Sequence, residues 1–519
     1  MGTSGTNEQI ERADGRVELA EGVDLAGSHL YNEDLAPTPL AKRTWSTYTF
    51  AALWISMAHC IPTYMLAAGL IKAGMNWWQA LVTILVGNVI VLAPILLNSH
   101  PGTKYGIPFP VFARAAYGVN GANVPAVMRA LVACGWFGIN AWIGGKALHT
   151  LFRTLWPGWT NLLGAAPKVC VPNDPCTPLR WLMSGHPPTE FIAFLLFWGL
   201  NILIVYKGME VLRKVENLAA PYVLVMTAAL VAWAIWKANG LGSVMAAEGK
   251  FKTLGSFWVI FVPSVTAMIG FWSTLSLNMP DFTRYGRSQR EQAIGQVVAL
   301  PTTMTLFAAM GVIITSASQE IYGEAIWDPV DLVGRFESRV LVAVSMFTVV
   351  VATLGVNIAA NVVSPANDFA NLAPRHISFK TGGLITGIVG ILMVPWKLQE
   401  DPEGYIYRWL LGYSGGLGSI GGVLIADYWL IRRTRLDIAD LYRRAGRYGK
   451  DPAGVSVPAL VATFAGCALS WIGAVVPALK GMFDYAWFVG ALVSAGVYTA
   501  MMWGKREAPA PAAPPTAGA

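Results

Sequence analysis

The residues of this chain best suited to chemistry are tryptophans and carboxamides at one-turn spacing. Gly135-Trp-Phe-Gly-Ile-Asn140 sets Trp136 and Asn140 four apart, on one helix face. An indole can stack on a flat ring while a carboxamide, donor and acceptor at once, reads the ring's edge. The same pair also suits packing and hydrogen bonding between helices. Gly270-Phe-Trp-Ser-Thr274 offers Trp272, with Phe271 beside it, for the opposite face of such a ring. Gly355-Val-Asn-Ile-Ala-Ala-Asn361 repeats the four-residue spacing with Asn357 and Asn361, which need partners from a neighbouring helix or from a ligand. Trp54-Ile-Ser-Met-Ala-His-Cys-Ile-Pro-Thr-Tyr64 places Pro62, which cannot donate a backbone hydrogen bond, inside an apolar run beside His59 and Cys60. It reads either as a plain proline kink or as a helix broken to offer backbone groups to a ligand or ion. His59 titrates near neutrality and is either a proton site or a satisfied polar residue. Asp281 beside Arg284, and Asp427 before Arg432 and Arg433, read as structural ion pairs. There is no nucleophile–base arrangement, metal-ligand spacing or phosphate-binding glycine loop, so an enzyme is not expected and a channel still less.

The elements that must position these residues lie in a membrane. Of 519 residues 55% are hydrophobic and 13% charged, with a mean hydropathy of +0.49, where a soluble chain carries about a quarter charged. The net charge of +7 does not point to nucleic acid, because the basic residues cluster in short loops between apolar runs. Residues 1–45 are polar and carry no apolar core of a cleavable signal, and the Ala/Pro-rich stretch 504–519 reads as a disordered tail. Cys60, Cys134 and Cys467 fall in apolar runs as small packing residues. Cys170 and Cys176 share one loop and either pair or stay free.

About twelve spans are predicted, near 47–71, 77–98, 122–152, 190–206, 216–236, 257–278, 291–316, 338–363, 381–396, 408–431, 456–476 and 484–503. The loops after spans four, six and ten hold Lys207, Arg213, Lys214, Arg284, Arg287, Arg290, Arg432, Arg433, Arg435, Arg443, Arg444, Arg447 and Lys450. Both termini are then cytoplasmic, and the acidic loop after span seven (Glu320, Glu324, Asp328, Asp331) faces outward. Pro263, Ser264 and Gly270 predict a break in the sixth span at the place matching the break in the first. Two such breaks imply two five-span halves, 46–236 and an inverted 257–431, with 456–503 as two additional helices.

Taken together, Asn32-Glu-Asp-Leu-Ala-Pro37, Gly106-Ile-Pro-Phe-Pro-Val-Phe-Ala-Arg114, Cys134-Gly-Trp-Phe-Gly-Ile-Asn140, Asn357-Ile-Ala-Ala-Asn-Val-Val-Ser-Pro365 and Ala426-Asp-Tyr428 running into Arg432-Arg433 resemble the nucleobase–cation symporter family. That family includes hydantoin, allantoin, cytosine and uracil permeases. The resemblance implies an all-α, LeuT-like five-plus-five inverted repeat with two extra C-terminal helices, alternating access, and a flat heterocycle held between Trp136 and Trp272. Asn140 and Asn361 would bond its edge and Cys60 would face it. Asn140 and Cys60 each stand where the family's hydantoin transporter has Gln, so allantoin, uracil and hydantoins all remain candidate substrates.

The resemblance also bears on the coupling ion. Sodium-dependent members place a Ser-Thr pair on the eighth span opposite carbonyls of the broken first span. Here the matching positions are Gly355 and Val356, with Ala352, Ser56 and His59 completing a degenerate site. The expectation is a monomeric, multi-pass transporter of the cytoplasmic (inner) membrane that imports a small heterocycle. It would need no sodium and no cofactor and would couple, if at all, to a proton, with His59 the leading titratable group. The alternatives are a sodium site rebuilt from water or Thr353, and a substrate sensor on a transporter fold.

Overall fold

The computed structural model describes residues 8–168, 170, 176–183, 185–207, 209–242, 248–324, 326, 328–398, 402–449 and 452–507. The first apolar run makes two helices, Thr47–Ala58 and Ile61–Lys72, bent 58° against one another. His59 and Cys60 between them are non-helical (φ −80°, ψ 75° and φ −136°, ψ 153°). Pro62 lies in the first turn of the second helix, where its missing N–H is an orphan anyway. At the break the carbonyl of Ala58 accepts from the Cys60 N–H at 3.0 Å and from the Thr63 hydroxyl at 2.8 Å. The run is therefore a broken span rather than a proline kink.

The remaining spans are Trp77–Tyr105, Asn123–Leu155, Pro188–Lys207, Met209–Lys237, Leu254–Asn278, Gln289–Tyr322, Arg339–Asn361, Phe379–Leu392, Pro402–Ile425, Val457–Val475 and Ala486–Met502, second to twelfth in order. Among the described residues nine helices are long and apolar enough to cross a membrane, and the bent pair makes ten. Pro221–Lys237, within the fifth, and Phe379–Leu392 are apolar but shorter. The eighth span does not end near 363. It kinks at Val362 and runs on as Val363–Leu372. The tenth widens into a π turn over Ala426–Ile431.

The break expected in the sixth span is absent, because this span is one continuous helix with Pro263 inside. Thr266 donates to the carbonyl of Val262 at 3.1 Å and Ser273 to that of Ile269 at 2.9 Å, so hydroxyls stitch this stretch of the helix. Gly270 serves close packing instead, since a Cβ there would lie 2.8 Å from the Leu410 carbonyl of the tenth span.

Both halves of the first span pack on the seventh, the sixth lies between the second and tenth, the third runs along the eighth, and the last two spans pack on the tenth. Loops alternate between two faces. On one face the N-terminal segment ties the even-numbered loops together. Glu8 bonds Arg443 at 2.7 Å, Asn32 donates to the carbonyl of Pro374 at 2.7 Å, and Trp45 N–H donates to that of Tyr285 at 2.8 Å. Buried Arg43 donates to four carbonyls: Thr38, Val17, Thr103 and Lys104. The expected tail is described as far as Glu507, whose N–H donates to the carbonyl of Ile431 at 2.9 Å. The rest of it, 508–519, lies outside the described residues. On the opposite face Cys170 and Cys176 form a disulfide with Cα atoms 5.8 Å apart.

Candidate functional site

Four aromatic rings meet at the centre of the bundle. Trp136, on the third span, lies 5.3 Å from Phe271 at 78°. Phe271 lies 4.9 Å from Trp272 at 84°, and Trp272 lies 5.1 Å from Trp54 of the first span at 86°. Every contact is edge-to-face, the arrangement favoured by ring quadrupoles. The two tryptophans singled out in the sequence thus belong to one cluster, with the Phe271 ring edge-on to both. The Trp136 indole donates to the Tyr413 hydroxyl at 3.1 Å, which donates to the Gly270 carbonyl at 2.9 Å. That chain fixes the indole plane and joins the third, tenth and sixth spans.

The carboxamides separate into two roles. Asn357 donates to the Phe137 carbonyl and to Asn201 Oδ1, both at 3.3 Å, and so ties the eighth span to the third and fourth. Asn361 donates to Asn357 Oδ1 at 3.1 Å from the end of that network. Asn140 spends its amide on the Trp136 carbonyl of its own helix at 3.1 Å. Its Oδ1 is buried and has no partner among the described residues, and the same holds for Trp272 Nε1 and Trp54 Nε1. A buried polar atom left unpaired costs about 1–3 kcal/mol, so orphans on the first, third and sixth spans call for an explanation.

The break in the first span opens elsewhere. His59 Nε2 bonds the Thr227 hydroxyl of the fifth span at 2.5 Å and lies 3.2 Å from the Tyr64 hydroxyl. Its ring packs edge-on against Phe307 at 4.7 Å, and its Nδ1 is buried without a partner among the described residues. His59, Cys60, Thr227, Ala352 and Thr353 line one cavity with about 610 Å³ of empty volume. Trp136, Asn140, Trp272 and Asn361 do not line it. Cys60, whose Sγ lies 3.3 Å from the Thr63 hydroxyl, therefore faces the His59 cavity. The eighth span does come against the first half of the broken span. At its matching positions Gly355 and the buried Val356 present no side-chain oxygen, and Ser56 is buried.

Asp281 corrects a second expectation. It is fully buried and accepts from the Phe109 N–H at 3.1 Å and from Asn367 at 3.2 Å. Arg284 is drawn away to the Asp34 carbonyl and the Tyr285 hydroxyl, both at 2.8 Å. Asp427 does form the expected pair with Arg432, at 2.7 Å, and also accepts from Tyr498 at 2.7 Å. The contacts that sequence reasoning missed are Trp54, Tyr413 and Thr227, each brought in from a distant span. Only the position of Trp54, one turn before Ala58, carried any local signal.

This helical bundle, with a broken span and an aromatic and carboxamide interior, is that of a multi-pass membrane transporter rather than an enzyme. The chain belongs to the family of permeases for cytosine/purines, uracil, thiamine and allantoin, which matches residues 37–490. It is 41% identical to the allantoin permease of Bacillus subtilis over 92% of this chain and 94% of that one. It is 42% identical to the purine-uracil permease of Arabidopsis thaliana over 84% of this chain and 70% of that one. Its fold matches that of Mhp1, a nucleobase-cation-symport-1 family transporter solved in a closed conformation with bromovinylhydantoin bound. The TM-score is 0.72, with 26% identity over 91% of this chain and 97% of Mhp1.

Proposed function

We propose that the chain imports a flat ureide or nucleobase heterocycle of the allantoin, uracil or hydantoin class by alternating access. The observation that carries this reading is the orphan pair at the ring cluster. Among the described residues Asn140 Oδ1 is an acceptor without a donor and Trp272 Nε1 a donor without an acceptor, both buried. A cyclic imide or ureide carries N–H and C=O groups side by side and satisfies both. The names of the relatives, allantoin permease and purine-uracil permease, fit that chemistry. Trp136 and Trp272 then contact the ring faces, and Asn140 and Asn361 its edge. Base–aromatic stacking is worth ~1–3 kcal/mol, so Trp136→Ala or Trp272→Ala should weaken equilibrium binding roughly tenfold or more in protein that remains monodisperse. Near-normal affinity in both variants would remove the tryptophans from the site.

The same reading makes transport independent of sodium and assigns coupling to a proton at His59. A hard cation needs oxygen ligands, and two of the expected side-chain oxygens are replaced by Gly355 and Val356. His59 Nδ1, buried without a partner among the described residues, is the proton acceptor this reading assigns within the broken span. Both termini lie in the cytoplasm, because the Lys/Arg-rich loops share their face and the disulfide lies on the other. Uptake of radiolabelled allantoin and uracil should be unchanged when choline replaces sodium and should rise with an inward proton gradient. Strong stimulation by sodium would show a cation site rebuilt through Thr353 or water. Uptake indifferent to both gradients would leave a facilitator.

A further inference from the structure

Just beyond the end of the sixth span, the short turn of helix Pro280–Thr283 sets Asp281 against Val363–Leu372, the continuation of the eighth. Two side-chain bonds join these elements. Asn278 donates to the Ser364 hydroxyl, and Asn367 Nδ2 donates to Asp281 Oδ1 at 3.2 Å. All four side chains are fully buried. Asn278 lies three residues before Asp281, and Ser364 three before Asn367, so each element presents its two groups on one face.

Acceptors outnumber donors at this junction. Asn278 Oδ1, Asp281 Oδ2 and Asn367 Oδ1 are buried with no donor among the described residues. A buried carboxylate needs a cation beside it, yet neither nearby arginine serves. Arg284 bonds the Asp34 carbonyl and the Tyr285 hydroxyl, and Arg129 bonds Asp368. These two arginines and Asp368 are the charged groups that act on Asp281. The second span meets the turn with Ser99, Gly102 and Thr103, and the helix Phe109–Tyr117 with the Phe109 N–H, all uncharged. Burial accordingly holds the Asp281 carboxyl above the usual carboxylate range.

A carboxylic acid and a carboxamide pair through two parallel bonds, amide N–H to acid carbonyl and acid O–H to amide carbonyl. The first is present between Asn367 and Asp281. The second joins the two atoms left over, Asp281 Oδ2 and Asn367 Oδ1, and needs one hydrogen. A carboxylate would set two buried acceptors against each other, and turning the amide over only moves that conflict to Oδ1. We infer that Asp281 is a proton-binding site separate from His59, with the proton held on Oδ2 and donated to Asn367 Oδ1. Trp272 stands six residues before Asn278, and Asn361 three before Ser364. Release of the proton weakens the junction of the two spans that carry those residues, so proton occupancy and the placing of those spans are linked.

Infrared difference spectroscopy reads this proton without reference to substrate or coupling ion. Wild-type protein in liposomes near neutral pH should show a protonated carboxyl C=O band that shifts in deuterated water. Asp281→Asn should remove that band and still fold, because its amide reproduces both bonds to Asn367. Asn367→Leu, which takes away a bond to the acid carbonyl, should move the band to higher frequency. Stability gives a second readout. An acid protonated when folded but ionised when unfolded stabilises less and less as pH rises above its unfolded value of about 3.9. The thermal midpoint of wild type should therefore fall relative to that of Asp281→Asn as pH is raised from about 5 to about 8. A wild type without the band, or a band untouched by both variants, would mean that Asp281 is ionised and would overturn the inference. So would a midpoint raised by sodium or potassium chloride in wild type but not in Asp281→Asn, which would put a metal cation in the proton's place.

Discussion

Asn361→Leu should bring uptake of the heterocycle to background while leaving the protein folded. Asn361 stands at the end of the carboxamide chain, donating to Asn357 Oδ1, whereas Asn357 keeps its own ties to Phe137 and Asn201. Truncating Asn361 therefore spares the network that holds the third, fourth and eighth spans together. It removes the group proposed to meet the ring edge and leaves a ring polar group unpaired in a buried site, at ~1–3 kcal/mol. Asn140→Leu should act likewise by removing the orphan Oδ1. Analogues separate recognition from structure. Wild type should lose affinity for a ring lacking one carbonyl or N–H, and the variant that lacks the matching carboxamide should no longer distinguish the two rings. Analogues that bind wild type and both variants alike would make these asparagines structural only.

Local chemistry made the first-span break legible. Pro62 cannot sit mid-helix without loss, and Ala58 to Thr63 supply the small and hydroxyl side chains that re-satisfy the freed backbone. The same logic failed on the sixth span. There Gly270 answers to the close approach of Leu410, a tertiary fact with no trace in the run itself. Helical spacing placed Trp136 with Asn140 and Asn357 with Asn361 on common faces. It could not tell that Asn357 works within the scaffold while Asn140 keeps a free acceptor, because the partners Phe137 and Asn201 come from other helices. Asp281 was assigned to Arg284 by proximity in the chain. The N-terminal segment, read as a polar stretch with a family motif at Asn32–Pro37, packs across the loops and takes Arg284 for the Asp34 carbonyl.

The least legible feature is also the one whose disruption should cost most stability. Arg129, near the start of the third span, and Asp368 are both fully buried and meet through Nη1 and Oδ2 at 3.3 Å. Asp368 escaped notice because the eighth span was expected to stop near 363, whereas the helix runs on to Leu372. The pair is sparsely supported, since Arg129 Nε and Nη2 and Asp368 Oδ1 have no partner among the described residues. Such a pair adds little net stability over apolar residues of the same size, yet removing one partner strands a charge and costs roughly 3–5 kcal/mol. Arg129→Met should therefore lower the thermal midpoint of the purified protein sharply and cut its yield in membranes. Adding Asp368→Leu to that variant should restore most of the loss, because no charge then remains to be buried. A single Arg129→Met variant as stable as wild type would mean that Asp368 is held neutral or solvated without its arginine. A double variant as unstable as the single would mean that the shape of the two side chains, not their charge, is what this junction of the third and eighth spans requires.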